Sequence, residues 1–177
     1  MNAAFEIALP TKDDLPGIGE LYRAVAGVEG GLARTRDEIT DDYIRHNFAA
    51  SRDRGVEFLA TIGGEIVGEI HAYRPTPRVF AHVLSDLTVA VHPDHQGLGI
   101  GRALFARLLA TVEHEALGVT RIELIARESN QRAIRLYESL GFRIEGRFEG
   151  RIRGVTGSLE ADIPMAWIRG RRGVGHP

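Results

Sequence analysis

At 177 residues, with 44% hydrophobic and 26% charged side chains, the chain has the composition of a single soluble globular domain that buries about 70% of its unfolded surface. It contains no cysteine, which excludes a disulfide framework, a thiolate metal site and a covalent cysteine nucleophile. A formal net charge of -2 gives no reason to expect a nucleic acid or a membrane as partner, and with neither a long apolar run nor a basic-then-apolar N-terminus the expected location is cytoplasmic.

In chain order, Phe5, Ile7 and Leu9 alternate with polar or small neighbours, which predicts a first strand ended by Pro10. A helix is expected to start near Asp13 or Asp14, with Pro16 tolerated in its first turn and Leu15, Ile18, Leu21, Tyr22 and Val25 on one face. The Gly27 to Gly31 region breaks it. Thr35 and Glu38 have the spacing of a capping box, so a second helix is expected to open there and run to about Ala50, burying Ile39, Tyr43, Ile44 and Phe48. Val56, Phe58, Ala60 and Ile62 alternate, Gly63-Gly64 is a two-residue turn signal, and Ile66, Gly68, Ile70 and Ala72 alternate again, which predicts an antiparallel hairpin.

Arg74 to Arg78 reads as a loop, and His82 to Val91 as a long strand that delivers a Gly-rich turn. From Gly101 to about Glu115, Ala103, Leu104, Leu108, Leu109 and Val112 form a helical stripe that Gly118 ends. Thr120 to Ala126 is a strand, and a short helix follows from Ser129 to Gly141. Phe142 to Phe148 and Leu159 to Trp167 are expected as two strands around a Gly- and Arg-rich hairpin, Gly150 to Gly157. The predicted fold is mixed α+β: a central sheet of about six to seven strands with helices on both faces, as one domain over residues 1–168 and a disordered tail over 169–177.

The turn after the long strand carries the chemistry. Gly97, Gly99 and Gly101 let the backbone take positive φ and approach a ligand without an intervening Cβ. The helix that follows offers unpaired N–H groups and the positive end of its dipole, so a pyrophosphate suits it. A nucleoside-triphosphatase loop would end in Gly-Lys-Ser/Thr, whereas this one ends Gly101-Arg102-Ala103. A dinucleotide fingerprint would place a third glycine at Arg102 or Leu104. What remains is Gln96-x-x-Gly99-x-Gly101. Downstream, Ser129-Asn130 opens a helix, Tyr137 stands seven residues after the asparagine, and Gly141-Phe142 closes the block. Together these resemble the two motifs of the GNAT N-acetyltransferase family, and the resemblance spans roughly residues 55 to 167.

The resemblance implies a single-domain fold of that family and acetyl-CoA as co-substrate. Gln96, Gly97, Leu98, Gly99, Ile100, Gly101, Arg102 and Asn130 would hold it. The pantetheine arm would lie in a wedge between two splayed parallel strands, hydrogen bonded along Val89, Ala90 and Val91 as though it were an extra strand. An amine with pKa about 10.4 is mostly protonated at neutral pH, so a base must offset roughly 4–5 kcal/mol. Asp86, on the long strand where relatives carry a glutamate, is the candidate base if burial raises its pKa, with Glu123 as second choice. Its other reading is a strand-face charge or an arginine partner. Tyr137 falls where the family places its general acid; its other reading is packing against Ala133 and Leu140. Asn130 also suits a helix N-cap, and the Val89 N–H is the candidate oxyanion donor. Where some relatives place a catalytic glutamate, five residues before the asparagine, this chain has Ile125, which weakens a close match to the ribosomal-protein N-terminal acetyltransferases.

Other constellations are thinner. His92-x-x-His95 lacks a third ligand, so no metal is expected. His71, Tyr73 and His82 fall near the acceptor side, and Arg147, Arg151 and Arg153 make a basic hairpin that reads as a solvated edge. Met1 to Arg78 holds thirteen Asp and Glu against nine Lys and Arg, compatible with a cationic acceptor. The expected acceptor is a small amine: an amino acid, a polyamine or an aminoglycoside. The alternatives are a protein N-terminus or lysine, and, in another class, a non-catalytic acyl-CoA-binding module. A homodimer suits the family.

Overall fold

Eight strands form one sheet in the computed structural model, which describes residues 4–26, 28, 31–114, 117–154 and 157–170. The strands are β1 (Glu6–Ala8), β2 (Gly55–Ile62), β3 (Glu65–Tyr73), β4 (Val83–Val91), β5 (Arg121–Arg127), β6 (Arg143–Ile144), β7 (Phe148–Arg153) and β8 (Leu159–Ile168). The helices are α1 (Leu15–Ala26), α2 (Asp41–Arg54), α3 (Ile100–His114) and α4 (Gln131–Ser139). The sheet runs β1-β2-β3-β4-β5-β8-β6, with β7 also on β8. Among the described residues the only parallel pair is β4 with β5, which α3 joins.

Period-two alternation sends each sheet face to its own helices. Val56, Phe58, Ala60, Ile70 and Ala72 pack with Leu104, Phe105 and Leu108 of α3 and with Ile134 and Tyr137 of α4. Leu59 and Ala90 pack with Ile18, Leu21, Tyr22 and Val25 of α1 and Ile44 of α2. The β2–β3 turn is the expected two-residue type, with Gly63 and Gly64 at φ 57 and 85.

Three local signals act differently from expectation. The Thr35–Glu38 capping box forms, but it closes only a single 3-10 turn, Arg36–Glu38. Ile39 follows at ψ 74, buried in the core, and α2 restarts from Thr40, whose side chain accepts from the Tyr43 N–H at 3.1 Å. Gly150, read as the start of a hairpin, instead sits at φ 58 in a bulge that lets β7 continue to Arg153, where the turn begins. The expected Phe142–Phe148 strand is interrupted at residues 145–147, leaving β6 at Arg143–Ile144 and β7 starting at Phe148, and the sheet has eight strands. Gly27, Glu115 and the tail from residue 171 lie outside the described residues.

The packing of α3 on β3 fixes the Gly-rich turn. Gly68 is the contact point: a Cβ there would lie 2.8 Å from Ile100 Cγ2, 3.1 Å from Leu104 Cδ1 and 3.3 Å from Ala60 Cβ. Gly68→Ala is therefore expected to destabilise the protein by about 1–3 kcal/mol in urea unfolding. An unchanged midpoint would mean that α3 can lift from the sheet without loss.

Candidate active site

β4 and β5 pair only at Val83–Arg121 and Leu84–Ile122 and then part. The parting leaves the β5-facing main-chain edge of β4 without a strand partner from Ser85 onward, and a cleft of about 1020 Å³ opens there. It runs from α1 and α2 on one face of the sheet to the α3 and α4 N-termini on the other.

On the α3 side, Gly97 and Gly99 take φ 86 and 84, the left-handed region that glycine adopts without strain. A Cβ on Gly99 would meet nothing within 4 Å, so the loop is open towards the cleft. Gly101 is helical, as expected for the stripe that starts there, and so does not take the positive φ expected of the three glycines; its missing Cβ faces Val91 Cγ2 at 3.6 Å. Ala103 makes the first bond of the helix, to the Gly99 carbonyl at 3.0 Å, so the N–H groups of Ile100, Gly101 and Arg102 precede the ladder and are available to an anion. Ile100 has a buried side chain and can offer only its N–H, and Ala90 is buried with its main chain paired to Glu69 of β3, which leaves Val89 and Val91 on the open edge, whereas Leu98 and Gln96 are exposed.

Arg102 donates to the Ser139 hydroxyl at 2.8 Å across α3 and α4. A second arginine, missed in the sequence, stands beside it: Arg132 reaches Gln96 Oε1 at 3.5 Å, and its Nη2 would lie 3.9 Å from a Cβ on Gly97. Its position in the first turn of the helix opened by Ser129-Asn130 was the available signal. Asn130 is the N-cap of α4, accepting from the Ala133 N–H at 3.1 Å, and also lines the cleft. Tyr137 lines the cleft while its ring packs on Phe105 and Phe142, with centroids at 5.2 and 6.1 Å. Burial pushes its phenol up to about 12.

On the α1 and α2 side, Asp86 sits at φ 48 in a bulge where β4 runs one residue longer than β3, between the pairs His71–Thr88 and Tyr73–Ser85. It is exposed at the cleft mouth, so the burial that the base role called for is not provided. Its carboxylate accepts from the Ser85 hydroxyl at 3.3 Å. The phenol of Tyr73, also lining the cleft, is raised by burial and then by Asp86. Glu123 is gripped by Arg121 Nε at 2.5 Å, a carboxylate already paired, and Ile125 is half-exposed at the cleft wall. Arg147 pairs with Glu128 and Glu149, and Arg151 with Asp162 at 3.4 Å, which makes most of the basic hairpin an ion-paired edge. Among the described residues, no group of three or more His, Cys, Asp or Glu could hold a metal ion, and no helix is long and apolar enough to cross a membrane.

Beneath the α1 and α2 end of the cleft lies a buried polar cluster that the sequence reading did not assemble. Glu69 is fully buried; one carboxylate oxygen accepts from the Tyr22 hydroxyl in a short hydrogen bond, and the other lies 3.0 Å from His71 Nδ1. Glu57, cross-strand from His71, is hydrogen bonded to Glu69. Burial, and then the neighbouring Glu69, push the Glu57 carboxyl up to about 9, so it keeps its proton at neutral pH. The signal was present: these residues occupy the β2 and β3 positions that alternate with the Val56 and Ile70 face, on a sheet whose other face α1 must cover.

The sequence profile of the Acetyltransferase (GNAT) family matches residues 22–142. The [ribosomal protein bS18]-alanine N-acetyltransferase of Escherichia coli is 50% identical over 54 residues, 30% of this chain and 35% of that protein. An acetyltransferase of Pectobacterium atrosepticum is 35% identical over 92 residues, 52% of this chain and 60% of its own length. The chain thus matches about a third to three fifths of these relatives. In fold it resembles an acetyltransferase from Salmonella typhimurium solved with acetyl-CoA, with a TM-score of 0.82 at 21% identity, covering 98% of each chain.

Proposed function

The chain belongs to the acetyltransferase (GNAT) family, and from that premise we propose that it transfers the acetyl group of acetyl-CoA directly to the primary amine of a small molecule. The observation that carries this reading is the parting of β4 from β5, which joins a helix N-terminus with two arginines to a mouth that carries Asp86 through one cleft. The Gly97–Gly99 loop, the N–H groups of Ile100, Gly101 and Arg102, and the guanidinium groups of Arg102 and Arg132 fit a pyrophosphate. The open edge of β4 at Val89–Val91 fits the amides of a pantetheine arm, and Asn130 supports the α4 end. Acetyl-CoA supplies an activated thioester carbonyl, and the Val89 N–H is the donor proposed for the oxygen that becomes negative there.

Asp86 would draw the cationic amine into the mouth and hold it by charge. Asp86→Asn is expected to lower kcat/KM for a cationic amine about tenfold while leaving acetyl-CoA binding intact; steady-state kinetics on both substrates test this, and an unchanged kcat/KM would remove Asp86 from the acceptor site. Tyr137 would donate to the departing sulfur.

A second reading, acetylation of a protein N-terminus, is favoured by the similarity to the bS18-alanine enzyme. Against it, Ile125 occupies the β5 position of a catalytic glutamate. Parallel assays on small amines and on peptides with free N-termini separate the two.

A further inference from the structure

We infer that His71 is the general base that takes the acceptor's proton, with Glu69 as the positioning carboxylate behind it; this rests on the acetyltransferase reading above. The argument begins with the tautomer. His71 Nδ1 lies 3.0 Å from both Glu69 Oε1 and the Tyr22 hydroxyl oxygen. Tyr22 donates its one hydrogen to Glu69 Oε2, and burial followed by Glu69 holds that phenol well above its ordinary range, so its oxygen can only accept from His71. Nδ1 therefore carries the hydrogen, and the lone pair of the neutral ring is on Nε2, the nitrogen that the cluster does not engage.

The ring is held at Nδ1 by Glu69 and Tyr22 and is 2% exposed while lining the cleft. Tyr73 and Tyr22 lie beside it with nearly parallel rings, at centroid distances of 6.0 and 6.3 Å. A carboxylate bonded to one nitrogen of a fixed imidazole whose other nitrogen faces a reacting group is the arrangement that orients a histidine base and stabilises its cation. Polar residues cross-strand from His71 are Glu57 on β2 and Thr88 on β4, and Asp86 on β4, Tyr43 and Asn47 on α2 and Arg34 line the same cleft. Of the cluster Tyr22, Glu57, Glu69 and His71, only His71 lines the cleft, so it is the member placed to meet a bound amine.

The step balances as follows. His71 Nε2 accepts one proton from the ammonium that Asp86 holds, and the freed nitrogen lone pair forms the C–N bond. As the C–S bond breaks, the second nitrogen proton passes to the departing sulfur, aided by the Tyr137 hydroxyl, giving amide and free thiol. The His71 proton then returns to solvent.

The test measures kcat/KM for an amine, by thiol release from acetyl-CoA, as a function of pH in wild type, His71→Gln and Glu69→Gln. Wild type is expected to reach its plateau well below the pKa of the free amine. His71→Gln is expected to be about 100-fold slower at pH 7 and to climb with pH towards about 10, because only pre-formed free amine then reacts. Glu69→Gln should show the same trend more weakly, and acetyl-CoA binding, measured by calorimetry, should report a folded donor site in both. A His71→Gln profile that keeps the wild-type plateau, in a variant that still binds acetyl-CoA, overturns the inference and leaves the acetyltransferase reading standing. Absence of thiol release from wild type with every amine overturns both.

Discussion

Tyr137→Phe is expected to lower kcat about 100-fold while acetyl-CoA affinity stays within about twofold. Phenylalanine keeps the ring that packs on Phe105 and Phe142, so the helix and the cleft wall are preserved and only the hydroxyl is lost. Burial holds that phenol at about 12, well above a free thiol at about 8.5, so complete proton transfer to the thiolate would run uphill by roughly 5 kcal/mol. The group's use is therefore as a fixed donor to sulfur while negative charge develops there, with the proton itself coming from the attacking nitrogen. The same burial keeps the phenol protonated through neutral and mildly alkaline pH, so it contributes no basic limb to the rate profile below about pH 11. Steady-state kinetics with calorimetric binding check this. An unchanged kcat would assign Tyr137 to packing alone.

The largest effect on stability is expected at Glu57. Its folded pKa is raised to about 9 by burial and then by Glu69, whereas an unfolded glutamic acid titrates near 4.3. Between those values the folded state binds more protons than the unfolded one. Stability from this site is thus fully present below about pH 4 and is lost as pH rises towards 9, at a slope of up to about 1.4 kcal/mol per pH unit. Glu57→Gln keeps a neutral hydrogen-bonding side chain against Glu69 and removes the titration. Urea unfolding from pH 5.5 to 8.5 should show wild type losing stability with pH relative to the variant, the two diverging most at the alkaline end. Parallel curves would contradict the protonated Glu57.

The parts of the site legible in the sequence are those in which one short segment does the whole job. Gly97 and Gly99 announce positive φ because no other residue adopts it freely, and the Ser129-Asn130 start with Tyr137 downstream announces a helix that faces the same cleft. Local signals misled where tertiary packing took over. Thr35 and Glu38 do make their capping box, yet burial of Ile39 turns the chain and Thr40 starts the helix afresh. Gly150 is compatible with a turn or a bulge, and pairing with β8 selects the bulge. The buried cluster was beyond local reading altogether, since Tyr22 finds Glu69 and His71 across 47 and 49 residues of chain. The parting of β4 and β5 likewise depends on two strands separated by a helix, and neither strand's composition encodes it.

The central claim is that this cleft performs acetyl transfer to a small amine, and thiol release from acetyl-CoA over a panel of polyamines, amino acids, aminoglycosides and peptides tests it most directly. The expected result is free thiol formed in step with one N-acetylated small amine, and strongly reduced in Tyr137→Phe. Tight binding of acetyl-CoA with no thiol released for any amine would contradict it and would make the fold a non-catalytic acyl-CoA-binding module.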